Sequence, residues 1–233
     1  MSTQIDIHLP EYLRKNQRIL ENLHSDYQHI VIAEDPEFGR LLYLDDDLQI
    51  AEADEAYNRA MIDPLLEADK LGNVLILGGG DGGVLNTALQ EGAEQVTLVD
   101  IDAKVLELAE RYLPRMCGEA FHHERADVVV GDAFAYLESS SGYDAVVYDL
   151  TMDPVREDQS RDAFIREIID KVVDALEDDG MLSMQCCSEH QPELRDQVLE
   201  GLAERFEDVE DRTVVVPSYG ERWVFASARG PKN

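Results

Sequence analysis

The chain has 233 residues, a hydrophobic content of 44% and a formal net charge of −30 at pH 7. The length and the apolar content exclude a disordered chain, and no apolar run is long enough to cross a membrane. Nucleic acids and anionic membranes attract cations, so the charge argues against both as partners. Such a negative charge is typical of a protein surface adapted to high salt or of a protein that binds a cationic ligand. The scatter of acids through nearly every segment favours the first explanation for the surface as a whole.

The N-terminus and the cysteines restrict the compartment and the metal chemistry. The first residues have neither a basic start nor an apolar stretch, so we expect no signal peptide and a cytoplasmic location. Cys117, Cys186 and Cys187 form no Cys-x-x-Cys pair, so we expect neither a disulfide framework nor a zinc site. His122 and His123 lie in a predicted loop, and we expect them to face solvent.

Residues 1–50 are predicted to form a first domain, a small antiparallel β unit. The segment 12–23 could be a short helix or an extended arm. Strand-like segments follow, separated by turns, at 27–33, 40–44 and 48–50. This unit is too small for a core of its own, so it should pack on the second domain, residues 51–233.

The second domain begins with a helical pattern at 51–66 and then alternates between strands and helices. Strands are predicted at 74–77, 95–100, 127–130, 143–149, 180–185, 213–216 and 222–226. Helices are predicted at 103–112, 161–176 and 192–206. This alternation predicts an α/β fold with a parallel, doubly wound sheet, in which the final strand could run antiparallel.

A glycine-rich loop follows the first strand of this sheet. Gly78, Gly80 and Gly83 match the G-x-G-x-x-G pattern, which lets a backbone approach a nucleotide closely. Asp81 lies at the tip of the loop. A carboxylate there would repel a pyrophosphate, or the carboxylate of S-adenosylmethionine, and would attract an amine.

Four acids lie just past the ends of the first four predicted strands of the sheet, namely Asp81, Asp100, Asp132 and Asp149. Ligands of doubly wound sheets bind beyond these strand ends, so we expect the four acids to share a site. Asp100 lies near the offset of about 20 residues at which an acid binds ribose hydroxyls. Asp132 could accept a hydrogen bond from an adenine amino group, and Asp149 could be a base or a cation clamp. For Asp100 and Asp132, an ordinary exposed acid is the alternative.

Together these motifs resemble the polyamine aminopropyltransferases, the spermidine and spermine synthases. The matching segments are 78–83, 99–102, 131–133 and 148–154, with 27–28, 38–42 and 56–57 in the N-terminal part. Pro217-Ser-Tyr219-Gly-Glu221-Arg-Trp223 is similar to spermine synthase in particular. The resemblance covers nearly the whole chain and implies a Rossmann-like fold of the S-adenosylmethionine methyltransferase type.

The resemblance also implies the reaction and its residues. The aminopropyl group of decarboxylated S-adenosylmethionine, a co-substrate, would pass to a polyamine or diamine, with no prosthetic group and no metal. The methylthioadenosine part would be held by Gln28, Gly78, Gly80, Asp100, Asp132 and Ala133. Asp81 would bind the aminopropyl ammonium, and Asp149 would accept the proton. Tyr57, Tyr219 and Glu221, with Asp81 and Asp149, would contact the acceptor amine. We expect a homodimer or a homotetramer.

The sequence departs from this family in four places. Asp100 replaces the usual Glu and reaches less far towards the ribose. Met152 adds a residue within the usual Asp-x-x-Asp-Pro spacing, which leaves the role of Asp153 open. Asn58 stands where spermidine synthases usually have His, again closer to spermine synthase. We expect the extra N-terminal dimerisation domain of animal spermine synthase to be absent.

Three other functions are compatible with parts of the sequence. A methyltransferase that uses intact S-adenosylmethionine would share the ribose and adenine acids, but Asp81 would oppose the carboxylate of that co-substrate. A polyamine-binding protein without catalysis would need only the acidic pocket. A nicotinamide dehydrogenase would have Asp81 against its pyrophosphate. Putrescine, agmatine, spermidine and longer polyamines are not separated as acceptors by these residues.

Overall fold

The computed structural model describes residues 16–154 and 158–232. Its N-terminal part is a four-stranded antiparallel sheet with the strand order β1-β2-β3-β4. The strands are β1 (Arg18–His24), β2 (His29–Asp35), β3 (Gly39–Leu44) and β4 (Asp47–Ala51). The three predicted strands are confirmed. The helical alternative for 12–23 is wrong from Arg18 onwards, because β1 completes its hydrogen bonds on β2; residues 12–15 lie outside the described residues.

The second sheet has seven strands in the order β10-β11-β9-β8-β5-β6-β7. They are β5 (Asn73–Gly78), β6 (Gln95–Asp100), β7 (Ala126–Val130), β8 (Tyr143–Asp149), β9 (Leu176–Ser188), β10 (Phe206–Val216) and β11 (Glu221–Pro231). Strands β5 to β9 pair in parallel, and β11 is antiparallel to both of its neighbours. The predicted doubly wound sheet and its antiparallel last strand are confirmed.

The last three strands are longer than their sequence pattern predicts. The segment 207–212 is rich in acids and was not predicted as strand, yet it pairs with β11 from Phe206 onwards. Hydrogen bonds between strands depend on the backbone, so an edge strand with solvated side chains tolerates this composition. Pairing with a distant segment therefore overrides the local pattern.

Seven α-helices connect these strands within the described residues. They are α1 (Glu55–Glu67), α2 (Gly83–Gln90), α3 (Ala103–Tyr112), α4 (Pro114–Cys117), α5 (Ala133–Leu137), α6 (Arg161–Ala175) and α7 (Pro192–Arg205). The predicted start of α1 at residue 51 is wrong, because Ala51 pairs with Leu41 as the end of β4. The short helices α4 and α5 were not predicted.

The two faces of the large sheet bury separate apolar cores. Alternate residues of β5 divide between them, with Ile76 in the core beside α1, α2 and α3, and Leu75 in the core beside α6 and α7. Ile30 and Ile32 of the small sheet are fully buried in the first core, so the N-terminal unit packs on the large sheet as predicted. Within residues 16–154 and 158–232, no helix has the length and apolar character needed to cross a membrane.

The cysteines and the histidine pair occupy ordinary positions in this fold. Cys117, Cys186 and Cys187 are free and buried. The side chain of His122 is largely exposed and hydrogen-bonds Glu110, whereas His123 is partly buried and its Nδ1 accepts from the Arg125 backbone N–H. The prediction that the pair faces solvent is confirmed for His122 alone.

Candidate active site

The site lies where the strand order of the large sheet reverses. The chain runs from β5 through β6 to β7 on one side, and β8 then pairs on the other side of β5. Gly78 at the end of β5 is the register partner of Asp149 at the end of β8, and Asp100 ends β6. The crevice above this reversal is the usual ligand site of an open α/β sheet.

The glycine loop brings its backbone against two of the strand-end acids. A Cβ on Gly80 would lie 2.6 Å from Asp100 Oδ2, and a Cβ on Gly78 would overlap the backbone carbonyl of Asp149. Gly78 also has φ +80°, a conformation that side chains rarely adopt. The tip is fixed by Asp81 Oδ1, which accepts from the Gly83 backbone N–H at 2.8 Å. The glycines therefore let three acids crowd around one loop.

Asp81, Asp100 and Asp149 form an acidic cluster in which Asp81 is buried and the other two are partly buried. Burial, reinforced by the charge of Asp149, raises the pKa of Asp81 to about 7. Burial also raises the pKa of Asp149 to about 6, with a contribution from Asp100, while the hydrogen bond from Tyr57 acts in the opposite direction. The pKa of Asp100 is raised by burial as well. Among the described residues none of the three carboxylates forms an ion pair, so the cluster can bind a cation.

Aromatic side chains form the wall next to Asp149. The Tyr57 hydroxyl donates to Asp149 Oδ1 at 2.5 Å, and its ring packs edge-on against Phe225 with centroids 5.0 Å apart. Burial and the charge of Asp149 raise the pKa of Tyr57 well above its ordinary value, so Tyr57 remains a hydrogen-bond donor. Tyr219 lies 6.4 Å from Tyr57 and 5.2 Å from Trp223, measured between ring centroids. These rings can enclose an alkyl chain.

The far side of this wall carries Glu221, at the start of β11. The Ser188 hydroxyl, at the end of β9, donates to the Glu221 carboxylate. Gln185, also on β9, accepts from Trp223 Nε1 at 2.9 Å and donates to the Leu150 carbonyl at 2.6 Å. Strand β9 thereby connects the segment after Asp149 with the aromatic wall.

Gln28, in the turn between β1 and β2, reaches the Asp100 side of the crevice. Its Nε2 donates to Asp102 Oδ2 at 2.9 Å, and the Asp102 backbone N–H donates to Asp100 Oδ1 at 2.9 Å. Asp102 is buried and also caps α3 through the Lys104 N–H at 3.0 Å. Gln28 and Asp100 are thus joined through Asp102, a link that sequence reasoning missed. Its position directly before the predicted helix that begins at Ala103 was the available signal.

Asp132 and Ala133 follow β7 at the outer part of the same sheet edge. Asp132 is exposed and caps α5, accepting from the Phe134 N–H at 2.8 Å and the Ala135 N–H at 3.2 Å. Ala133 is buried. Asp132 is therefore exposed, whereas Asp81, Asp100 and Asp149 are buried or partly buried, and the four strand-end acids are not equivalent.

Asp54 is a further structural acid that sequence reasoning missed. It is fully buried and accepts from the backbone N–H groups of Ala51 at 2.8 Å and Ser218 at 2.9 Å, and from the Ser218 hydroxyl. Burial raises its pKa. These bonds join the start of α1 to the turn Pro217–Tyr219 and so hold Tyr219 beside Tyr57. Ser218 lies 164 residues from Asp54 in the chain, so no local pattern could reveal this pairing.

The sequence departures at Met152 and Asn58 have visible structural consequences. Met152 is 4% exposed and packs in the core beside α6, while Asp153 faces solvent and forms an ion pair with Arg161. The added residue is accommodated by this inward turn. Asn58 is buried against the glycine loop, since a Cβ on Gly83 would lie 2.5 Å from Asn58 Nδ2.

Comparison with known proteins identifies the family. Residues 55–233 match the spermine/spermidine synthase domain, and residues 16–52 match the spermidine synthase tetramerisation domain. The polyamine aminopropyltransferase of Pyrobaculum calidifontis is 38% identical over 204 residues, which cover 84% of this chain and 70% of that protein. That of Bacillus cytotoxicus is 34% identical over 214 residues, covering 89% and 76%.

Solved structures agree with these sequence matches. A spermidine synthase in complex with the transition-state analogue AdoDATO has a TM-score of 0.78 and 25% identity, covering 91% of this chain and 74% of that one. Spermidine synthase from Thermotoga maritima has a TM-score of 0.78 and 23% identity, which shows a shared fold. The resemblance predicted from the motifs is confirmed, and the N-terminal match supports an oligomeric protein. The chain therefore belongs to the spermine/spermidine synthase family and is an aminopropyltransferase.

Proposed function

We propose that the protein transfers the aminopropyl group of decarboxylated S-adenosylmethionine to a polyamine or diamine and releases methylthioadenosine. The observation that carries this proposal is the pair Asp81 and Asp149. Asp81 is buried, Asp149 is partly buried, and both have raised pKa values without a cationic partner among the described residues. Buried carboxylates are unfavourable unless a cation joins them, and both substrates of this reaction are cations.

The donor side of the proposed site uses the glycine loop and the end of β6. Asp81 binds the ammonium of the aminopropyl group, which the carboxylate of intact S-adenosylmethionine would oppose. Asp100 binds the ribose hydroxyls, with Gln28 at its edge. The remaining contacts to the methylthioadenosine part come from Gly78, Gly80, Asp132 and Ala133. The close approach of Gly80 to Asp100 supports this assignment, since it leaves backbone in place of side chains beside the ribose.

The acceptor side uses Tyr57, Tyr219, Glu221 and Asp149. The amine nitrogen attacks the methylene carbon next to the sulfonium, the carbon–sulfur bond breaks, and its electron pair stays on sulfur. The nitrogen loses a proton to the Asp149 carboxylate. The hydroxyl of Tyr57 supports this role by holding one oxygen of Asp149 at 2.5 Å. A pKa of about 6 leaves Asp149 largely ionised at neutral pH, so it can accept that proton.

The proposed reaction needs neither a prosthetic group nor a metal. A sulfonium departs as a neutral thioether, so the leaving group requires no acid. Alignment of the amine, the methylene carbon and the sulfur supplies most of the acceleration. The task of the protein is to hold two cationic substrates in line despite their mutual repulsion, and the acidic cluster provides the compensating charge.

The chemistry of the acceptor is proposed from the segment Pro217–Trp223. Its similarity to spermine synthase supports an acceptor with more than one amine. Glu221 supports the same conclusion, because it provides a carboxylate besides the one at the reacting nitrogen. Putrescine, agmatine, spermidine and longer polyamines are the candidates.

We also propose an assembly and an environment. Residues 1–50 form the N-terminal domain and 51–233 the catalytic domain, and the protein is a homodimer or a homotetramer; the match of residues 16–52 to a tetramerisation domain supports this assembly. The charge of −30 supports a cytoplasm of high salt concentration and argues against nucleic acid and anionic membranes as partners.

The test is release of methylthioadenosine from decarboxylated S-adenosylmethionine against a panel of amines. We expect one class of amine to give methylthioadenosine and an aminopropylated product in equal amounts. Intact S-adenosylmethionine is the control donor and should support no transfer. Methyl transfer from the intact donor, or no turnover with any amine, would refute the proposal.

A further inference from the structure

Strand β9 contains a β-bulge next to the acceptor side of the site. Gln185 is the register partner of Phe225, and Cys187 is the partner of Val224, so Cys186 is an extra residue between them. Cys186 and Cys187 both pack into the core beside α6 and α7. A bulge of this kind shifts the alternation of side chains by one residue.

The bulge decides which face of the sheet Ser188 occupies. In a regular strand, residues three apart point to opposite faces. Here Gln185 and Ser188 share a face, because Gln185 hydrogen-bonds the Trp223 indole and Ser188 is the register partner of Trp223. Without the bulge Ser188 would point into the core beside α6 and α7.

On the site face the Ser188 hydroxyl has a defined direction. Its oxygen accepts from the His190 backbone N–H at 3.2 Å, and its hydrogen is donated to the Glu221 carboxylate. Ser188 itself is buried, with 9% exposure. Among the described residues Glu221 forms no ion pair, so this hydroxyl orients a carboxylate that is otherwise available to a cation.

Tyr219 connects this carboxylate with the reacting end of the site. Its pKa is raised well above the ordinary value by burial and by the charges of Asp149, Asp54, Asp81 and Glu221, so it lies within the fields of both Asp149 and Glu221. Asp149 is hydrogen-bonded to Tyr57, whose ring centroid lies 6.4 Å from that of Tyr219, and Glu221 follows Tyr219 by two residues. Two carboxylates near one aromatic wall fit a chain that bears two ammonium groups. One group would be the nucleophile at Asp149, and the other would meet Glu221.

We propose that Ser188 is a positioning residue that aims the Glu221 carboxylate at the second ammonium of the acceptor, and that the bulge at Cys186 exists to present it. The inference rests on the proposed function, in which Glu221 contacts the acceptor. Nothing in it concerns the donor side, so its consequences are confined to the acceptor. Preference for an acceptor with a second amine is then set partly by a residue that does not touch the substrate.

The test compares Ser188→Ala with Ser183→Ala in the full-length protein. Ser183 is a matched control, since it is a fully buried serine on the same strand whose hydroxyl has no partner among the described residues. For the best acceptor of the amine panel, Ser188→Ala should raise KM about three- to tenfold, as expected for loss of a charge-assisted hydrogen bond. The KM for decarboxylated S-adenosylmethionine and kcat should stay within about twofold in both variants.

Three further measurements separate positioning from mere folding. Ser188→Thr, which retains the hydroxyl, should restore most of the acceptor KM. Ser188→Ala should add no further loss to Glu221→Ala, because both changes remove the same contact. The KM of an analogue that lacks the distal amine should be insensitive to Ser188→Ala. The inference would be overturned if Ser188→Ala left the acceptor KM unchanged. It would also be overturned if Ser188→Ala raised the KM of the analogue as much as that of the acceptor.

Failure of the proposed function would be recognised separately. If the native protein releases no methylthioadenosine with any amine, the proposed function is wrong. Calorimetric titration of the panel diamines and polyamines into the native protein and Ser188→Ala would then decide the part of Ser188. Weaker binding in Ser188→Ala alone supports positioning by Ser188, and equal binding or none refutes it.

Discussion

The acids of this protein fall into two groups that differ in surroundings more than in chemistry. On the outer surface, Asp170 pairs with Arg205, Asp179 with Lys70 and Asp208 with Arg229, all with exposed carboxylates. In the crevice, Asp81 is buried and Asp149 is partly buried, and both have raised pKa values and no ion-pair partner among the described residues. Basic residues thus pair with acids at the surface, whereas none pairs with Asp81 or Asp149 among the described residues.

This difference shows where the negative charge has a chemical consequence. Exposed ion pairs are solvated and screened, so each contributes little to stability. Buried carboxylates lose water without gaining a counter-ion, so they favour protonation until a cation arrives. The surface acids accordingly set solubility and the response to salt, and the crevice acids set ligand choice.

Removal of the proton acceptor should have the largest effect. Asp149→Asn keeps the size of the side chain and its contact with Tyr57, but removes the group that accepts the proton. We expect kcat to fall by about 10² to 10⁴. The control is Asp179→Asn, an exposed ion-paired acid near the start of β9, which should retain kcat within about twofold. Steady-state release of methylthioadenosine measures both; comparable losses would mean that the crevice acid has no special role.

Asp81 should decide between the two forms of the donor. A second unit charge about 4 Å from Asp81 is worth roughly 4 kcal/mol at an effective dielectric of about 20, and half of that exceeds a tenfold preference. We expect the native protein to bind decarboxylated S-adenosylmethionine at least tenfold more tightly than the intact form. Asp81→Asn should reduce this difference in affinity, mainly by weakening the binding of the decarboxylated form. Competition titrations with both forms measure it, and a native preference for the intact form would indicate methyl transfer.

Asp100, which we propose binds the ribose hydroxyls, should contribute a smaller but measurable part of the affinity for methylthioadenosine. Asp100→Ala removes the carboxylate proposed to accept from the ribose hydroxyls. We expect at least a tenfold loss of affinity for methylthioadenosine, on the order of 1.4 kcal/mol. Asp127→Ala, an exposed acid on neighbouring β7, serves as the control and should bind normally. Unchanged calorimetric affinity in Asp100→Ala would remove the ribose assignment.

The same buried acids should lower the stability of the protein at neutral and higher pH. Because the pKa of Asp81 is raised to about 7, the folded state binds this proton more tightly than the unfolded state. The free energy of unfolding therefore falls as pH rises from the ordinary Asp value through about 7. Asp81→Asn should raise Tm by several degrees at about pH 8 and by little at about pH 5. An equal shift at both pH values would contradict this explanation.

Salt should raise the Tm by screening the surface acids, and each surface acid should contribute less to this change than any single crevice acid contributes to the effects above. Screening by salt reduces the repulsion that accompanies a charge of −30. We expect Tm to rise by a few degrees between about 0.1 M and about 2 M potassium chloride. A neutral osmolyte at the same concentrations controls for general exclusion effects. If the Tm stays constant or falls as the salt concentration rises, the acidic surface needs another explanation.

Much of the fold and the centre of the site could be predicted from the sequence because both depend on local patterns. Short apolar runs, typical of buried strands, alternate along the chain with segments of helical periodicity. This order of elements specifies a doubly wound sheet. The acids Asp81, Asp100 and Asp149 directly follow strands, and parallel strands end at one edge, so their proximity follows from topology. The assignment of roles to Tyr57, Tyr219 and Glu221 came from resemblance to a family, since no local spacing connects residues so far apart.

The rest was decided by contacts between distant segments. The burial of Asp54 under Ser218, the bond from Gln28 to Asp102 and the length of β10 all depend on partners far away in the chain. The bulge at Cys186 is the sharpest case: a regular strand would place Ser188 on the face opposite Gln185. Only pairing with β11 inserts the extra residue and turns Ser188 towards Glu221. Side-chain pattern determines which elements form, whereas register and the burial of polar groups are set when those elements pack.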